Sequence, residues 1–239
     1  MGVVVTLALG ACSSGSSAAS GPAPVRARYA LPAGTSSADA EMVGRRMEAR
    51  FRALGVSDVD VAVQGDTVVV RGERDAGGLA ARVGEQGILE FRPVAEVAPP
   101  GTRSGEIPAP DGTVVVTGRD GTRYAVEPPA ITGGVVSAKA SYIPGGAGYV
   151  VNLSFDPDAA KEFDSLARRS IGQRPPRNSV AIVIDDRVVS APAFQARTFP
   201  DGVQISGGFT RREAEALAVA LNSGPYPVKV RLQTPTSSG

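Results

Sequence analysis

Between Val25 and Pro93 the apolar residues repeatedly change period, and this alternation restricts the fold more than any other feature of the chain. Val25 to Leu31 (VRARYAL) alternates as a half-buried strand. Ser36 or Ser37 is then placed to cap a helix on which Val43, Met47, Phe51 and Leu54 share one face, and Gly55 is placed to stop it. Two β runs follow, Val59 to Val63 and Thr67 to Arg71, joined across Gln64-Gly65-Asp66 as a hairpin. Asp75 to Val83 suits a short helix and Ile88 to Pro93 (ILEFRP) a fourth strand.

The order strand, helix, strand, strand, helix, strand is the ferredoxin-like split arrangement. Ala95 to Gly112 is rich in Pro and Gly without periodicity and reads as a linker. Beyond it, VVVT at 114–117 and TRYAV at 122–126 predict a hairpin, and Gly148 to Phe155 another strand. Asp156-Pro157 then opens a helix to about Ile171. Val180 to Ile184 and Arg187 to Ser190 pair around Asp185-Asp186, and Thr210 with Glu213 forms a capping box for a helix ending at Gly224. Tyr226 to Leu232 is strand-like.

With 239 residues and 42% hydrophobic content the chain can bury a substantial core. Its formal charge of +1 gives no field that would recruit nucleic acid, and all but three of its 25 basic residues are Arg. Arg168, Arg169, Arg174 and Arg177 read as solvated charges near a helix end. Histidine is absent and Cys12 is the single cysteine. Cys-His and Ser-His catalysis and internal disulfides are thereby excluded, as are nearly all transition-metal sites.

Val3 to Leu9 is an apolar run too short to span a bilayer as a mature helix, and Leu9-Gly10-Ala11-Cys12 resembles the bacterial lipobox. Residues 1–12 are therefore expected to be a lipoprotein signal with Cys12 lipidated, and 13–24 (SSGSSAASGPAP) a flexible tether.

Asp185 and Asp186 invite an acid/base interpretation, but a solvated hairpin tip does not separate two pKa values, so turn chemistry is expected there. Asp156 and Asp158 likewise read as a helix start rather than calcium ligands. The Gly133-Gly134, Gly145-Gly146 and Gly207-Gly208 pairs lack the Lys-Ser/Thr of a phosphate loop. Ser190 has no available base, and Ser190-Ala191-Pro192 is placed to end a strand. No catalytic, metal or cofactor site is expected.

The segments AIVIDDRVVSAPAF and VQISGGFTRREAEALAVALNSGPYPVKVRL resemble the large extracytoplasmic domain of SecD, a subunit of the bacterial protein-export machinery. The matching positions include Val188, Val189, Ser190, Ala191, Pro192, Gly207, Gly208 and Phe209, with Asp186 standing where the family has a turn glycine. The resemblance implies an α+β fold with a ferredoxin-like base (25–94 and 210–232) and an inserted α+β head (110–209); the polar residues 233–239 read as a disordered tail. Taken with the lipobox at Cys12, the resemblance implies a lipid-anchored module on the extracytoplasmic face of the cell membrane, binding unfolded or emerging secreted proteins, the Sec translocation channel or a membrane subunit. Asp185, the family-motif residues above and Phe194 are the candidate contacts. An envelope scaffold or ligand-binding lipoprotein reusing the fold is the alternative.

Overall fold

In a computed structural model of the chain, residues 25–72, 79–99, 101–102 and 112–233 are described. The expected leader, Cys12 and its tether, and most of the linker and tail lie outside them. In chain order the elements are β1 (Val25–Ala30), α1 (Ser37–Ala53), β2 (Val59–Gln64), β3 (Thr67–Gly72), α2 (Leu79–Val83) and β4 (Leu89–Val97). Then come β5 (Val114–Gly118), β6 (Arg123–Val126), β7 (Ile131–Thr132), β8 (Val135–Ile143), β9 (Gly148–Phe155) and α3 (Pro157–Ser170). The chain continues through β10 (Val180–Ile184), β11 (Arg187–Ser190), β12 (Val203–Phe209), α4 (Arg211–Ser223) and β13 (Arg231–Gln233).

The first layer is an antiparallel sheet ordered β13-β1-β3-β2, with α1 over one face. Helix α1 begins where the side chain of Ser36 accepts the amide of Asp39 and ends before Gly55, whose φ of +89° suits glycine. Val43, Met47 and Phe51 are fully buried against Tyr29, Val68 and Val70. The order is that of a ferredoxin-like sheet, but the expected fourth strand is not in it. Residues 89–93 pair instead with β10, and the vacant edge position beside β1 is filled by β13. Of the expected final strand, 226–232, only Arg231 and Leu232 join the ladder, together with Gln233 from the expected tail.

The second sheet closes on itself. Strand β4 pairs with β6, β6 with β5, β5 with β11, β11 with β10, and β10 again with β4. Inside this ring lie Val94, Val116, Val126, Ala181, Val183 and Val188. This explains why all five residues of β10, VAIVI, are buried. Ala181 and Val183 face the interior, whereas Val180, Ile182 and Ile184 face outward into a larger core. That core also receives α3, α4 and the antiparallel sheet β12-β9-β8. Five phenylalanines meet there: Phe163 contacts Phe91, Phe155, Phe194 and Phe199, at centroid distances of 5.1 to 5.6 Å.

Strand β4 runs to Val97, beyond the expected linker start, and α2 is seen only from Leu79, so residues 75–78 of that expected helix are not described. Strand β8 was not expected. Helix α3 starts as expected, with Asp156 accepting the amides of Asp158 and Ala159.

Candidate protein-binding site and the junction beside it

Residues 83–88, between α2 and β4, are where the sheets are tied together. Arg50 of α1 is 1% exposed, and its hydrogen-bond partners among the described residues are carbonyls and one hydroxyl rather than carboxylates. Its guanidinium donates to Val83 O, Glu85 O, Gln86 O and Gly224 O and to Ser223 Oγ, and lies 4.0 Å from the ring centroid of Tyr226. Burial lowers its pKa, but the carbonyls at the ends of α2 and α4 supply partial negative charge that holds the cation. Burial also pushes the Tyr226 hydroxyl up to about 12, and that hydroxyl donates to Val83 O at 2.6 Å. The Gln86 amide donates to Tyr226 O and Val228 O. These contacts hold 226–230 without a sheet ladder; the chain bends at Pro227 and Val228, and the strand begins only at Arg231.

The β10–β11 hairpin reaches the same segment. Asp185 and Asp186 both have positive φ, 48° and 64°, so the turn is of the mirror-image kind that suits a tight hairpin. The two carboxylates part company there. Asp186 is exposed, as expected of a turn, whereas the half-buried Asp185 accepts the amides of Gly87 and Ile88 at 3.1 and 2.9 Å. Asp185 is therefore a structural clasp, not a purely solvent-facing tip residue.

Beside the clasp is a cleft of about 410 Å³ lined by Arg82, Glu85, Arg119, Asp185, Arg187 and Glu213, with Val189 and Phe209 among its apolar walls. Glu213 is its best-connected carboxylate. It accepts the amide and hydroxyl of Thr210, lies 3.1 Å from Arg119 and 3.7 Å from Arg82, and completes the capping box of α4. The Thr210 amide bond, then the hydroxyl and Arg119, hold its carboxyl down at about 2. Glu85 still reaches water, but the cleft walls and then Asp185 push its carboxyl up. A second cleft of about 480 Å³ shares Glu85 and Asp185 and is walled on its far side by Tyr226 to Val230.

Several of the remaining expected contact residues are packed inside the molecule. Val188 is inside the ring, with Ala191 packed against it. Strand β11 ends at Ser190, and Pro192 is exposed beyond it. Phe194 and Phe209 are each 7% exposed in the larger core, and Phe209 also forms part of the cleft wall. Arg119 covers the Phe209 ring at 5.2 Å. A Cβ at Gly207 would lie 2.8 Å from Val189 Cγ1, so this glycine lets β12 approach β11, and Gly208 at φ +62° forms the bulge that follows.

Sequence reasoning missed Arg50, Gln86 and the ion pairs of Glu213. Arg50 had a usable signal: it lies three residues after Met47 on the apolar face of α1, an odd place for a charge. Among the described residues no group of three His, Cys, Asp or Glu could hold a metal, and no helix is long and apolar enough to cross a membrane.

Residues 113–228 match the family model of the SecDF P1 head subdomain. SecD from Elusimicrobium minutum is 30% identical over 230 residues, covering 84% of this chain and 47% of that protein. SecDF from Thermus thermophilus is 29% identical over 210 residues, covering 81% of this chain and 27% of that one. The chain thus spans less than half the length of these relatives. A solved SecDF in a super-membrane-facing form superposes with a TM-score of 0.63 at 24% identity over 87% of this chain and 29% of its own length. A structure of a membrane component SecDF that enhances protein export superposes with a TM-score of 0.61 at 24% identity, over 89% of this chain and all of that one. The fold is therefore α+β with a P1 head subdomain, and the chain is similar to the periplasmic part of SecD.

Proposed function

We propose that this protein assists export, or the handling of secreted chains after translocation, by binding them non-covalently on the extracytoplasmic face of the cell membrane. The match of 113–228 to the P1 head, inside a longer similarity to SecD translocase subunits, carries this proposal. The base, the closed ring and the three-stranded sheet hold the head's surfaces in place, and attachment is through lipid on Cys12. Its partners are unfolded or emerging secreted proteins and the Sec translocation channel or a membrane subunit. The buried positions of Phe194 and Phe209 move the contact from the aromatic core to the exposed parts of the head.

The charged cleft at Glu213 favours a second reading, a ligand-binding lipoprotein, because its mixed Arg and carboxylate walls suit a small zwitterion. The test is binding of the purified protein to a reduced, carboxymethylated secretory protein and to the same protein folded. Preferential binding of the unfolded form supports the export role. Equal or absent binding of the two forms rejects it.

A further inference from the structure

Strand β8 is the outer strand of the sheet β12-β9-β8, and one side chain already treats it as a strand to be paired. The Asn222 amide accepts the amide hydrogen of Ala138 at 2.8 Å and donates to the carbonyl of the same residue at 2.8 Å. A neighbouring strand would make this same pair of bonds. It also fixes the direction of the ladder. Since both backbone groups of Ala138 point away from β9, and the register with β9 is unbroken from Ala138 to Ile143, those of Ala140 and Tyr142 point outward as well.

Helix α4 starts directly after β12 and packs chiefly against β8, where Ala138 shares a core with Ala214, Leu217, Ala218 and Leu221, and its last turn brings Asn222 to the backbone of Ala138. The side chains flanking the edge are small or flexible: Ser137, Ala138, Lys139, Ala140 and Ser141. They offer no pocket for a particular sequence. Tyr142, 59% exposed and packed against Tyr149, stands at the open end of the row.

We propose that the outer edge of β8 from Ala138 to Tyr142 is a strand-addition site for an extended stretch of polypeptide, with Asn222 holding the place of the incoming strand. Main-chain hydrogen bonds carry recognition in this mode. The small flanking residues make it indifferent to sequence, as a protein handling many secreted chains requires. This rests on the proposed export role and adds the place and manner of contact.

The experiment uses the whole protein with two probes, the carboxymethylated secretory chain above and a short peptide of alternating Val and Thr flanked by Lys. Amide hydrogen exchange at Ala140 and Tyr142 is expected to slow on binding of either probe. Ala140→Pro removes an outward amide while sparing the β9 ladder, and is expected to weaken binding about tenfold. Asn222→Ala, which leaves both groups of Ala138 to the probe, is expected to tighten it by up to about tenfold. Circular dichroism and melting confirm that each variant is folded. Should the unfolded chain bind wild type and Ala140→Pro equally, with exchange at Ala140 and Tyr142 unchanged, the edge is not the site although the export role stands. Should neither probe bind, both proposals are lost. Protection of these amides in a dimer formed without probe would assign the edge to a second copy and overturn the inference.

Discussion

The β13-β1-β3-β2 layer and the aromatic-cored part of the molecule solve the same problem in opposite ways. The larger core is secured by shape: Phe163 sits among Phe91, Phe155, Phe194 and Phe199, and their ring edges and faces interlock. The ferredoxin-like layer has a mainly aliphatic core with Phe51, Tyr29 and Tyr226, and at its junction with 83–88 and α4 lies one buried cation surrounded by carbonyls. Packing tolerates a substitute of similar volume. A fork of hydrogen bonds does not, because each carbonyl it deserts is left buried without a donor.

The largest test of this contrast pairs Arg50 with Phe163. Arg50→Met strands several carbonyls and is expected to cost about 3–5 kcal/mol in urea denaturation, with Arg50→Lys recovering little because an ammonium cannot reproduce the fork. Phe163→Ala is expected to cost about 3–5 kcal/mol, but Phe163→Leu much less than Phe163→Ala. If Arg50→Lys were as mild as Phe163→Leu, the distinction would fail.

Next in size is the clasp. Asp185→Ala frees the amides of Gly87 and Ile88 and is expected to cost about 1–3 kcal/mol, with faster hydrogen exchange at those two amides; unchanged exchange would show that Asp185 holds nothing. Glu213 provides the pH test. Its carboxyl is held down to about 2 from an ordinary 4.5, so its contribution is complete above pH 4.5 and disappears as pH falls toward 2. Melting temperature should decline across that window, and Glu213→Gln should flatten the decline by this group's share. A Gln variant with an undiminished acid slope would place the titrating group elsewhere.

The smallest expected effect has the opposite sign. Asp186 occupies a φ of 64° that glycine adopts without cost, so Asp186→Gly is expected to stabilise the hairpin by about 0.5–1 kcal/mol. A destabilised Gly variant would mean that the Asp186 side chain contributes something its exposure does not reveal.

What could be read from the sequence was local. Ser36, Asp156 and the Thr210–Glu213 box each signal a helix start through partners within three residues, and each caps as expected. The β10–β11 hairpin was equally legible, because two apolar runs flank a turn. The choice between ILEFRP and 231–233 as fourth strand was not. It depends on pairing across the whole length of the insertion, with β10 capturing β4 and leaving β13 to pair with β1. Strand β8, VVSAKASYI, hides behind Ser, Ala and Lys, which carry little β signal. Asp185 and Asp186 look alike in sequence, and only the approach of Gly87 and Ile88 makes one a clasp.

The most direct test of the functional account is photo-crosslinking in intact cells from a photoreactive phenylalanine analogue at Tyr142, with the buried Phe194 as the comparison position. The account predicts that position 142 captures many unrelated secreted proteins while position 194 captures none. A single folded envelope partner at 142, or no capture from 142 while secreted chains are passing, would contradict it.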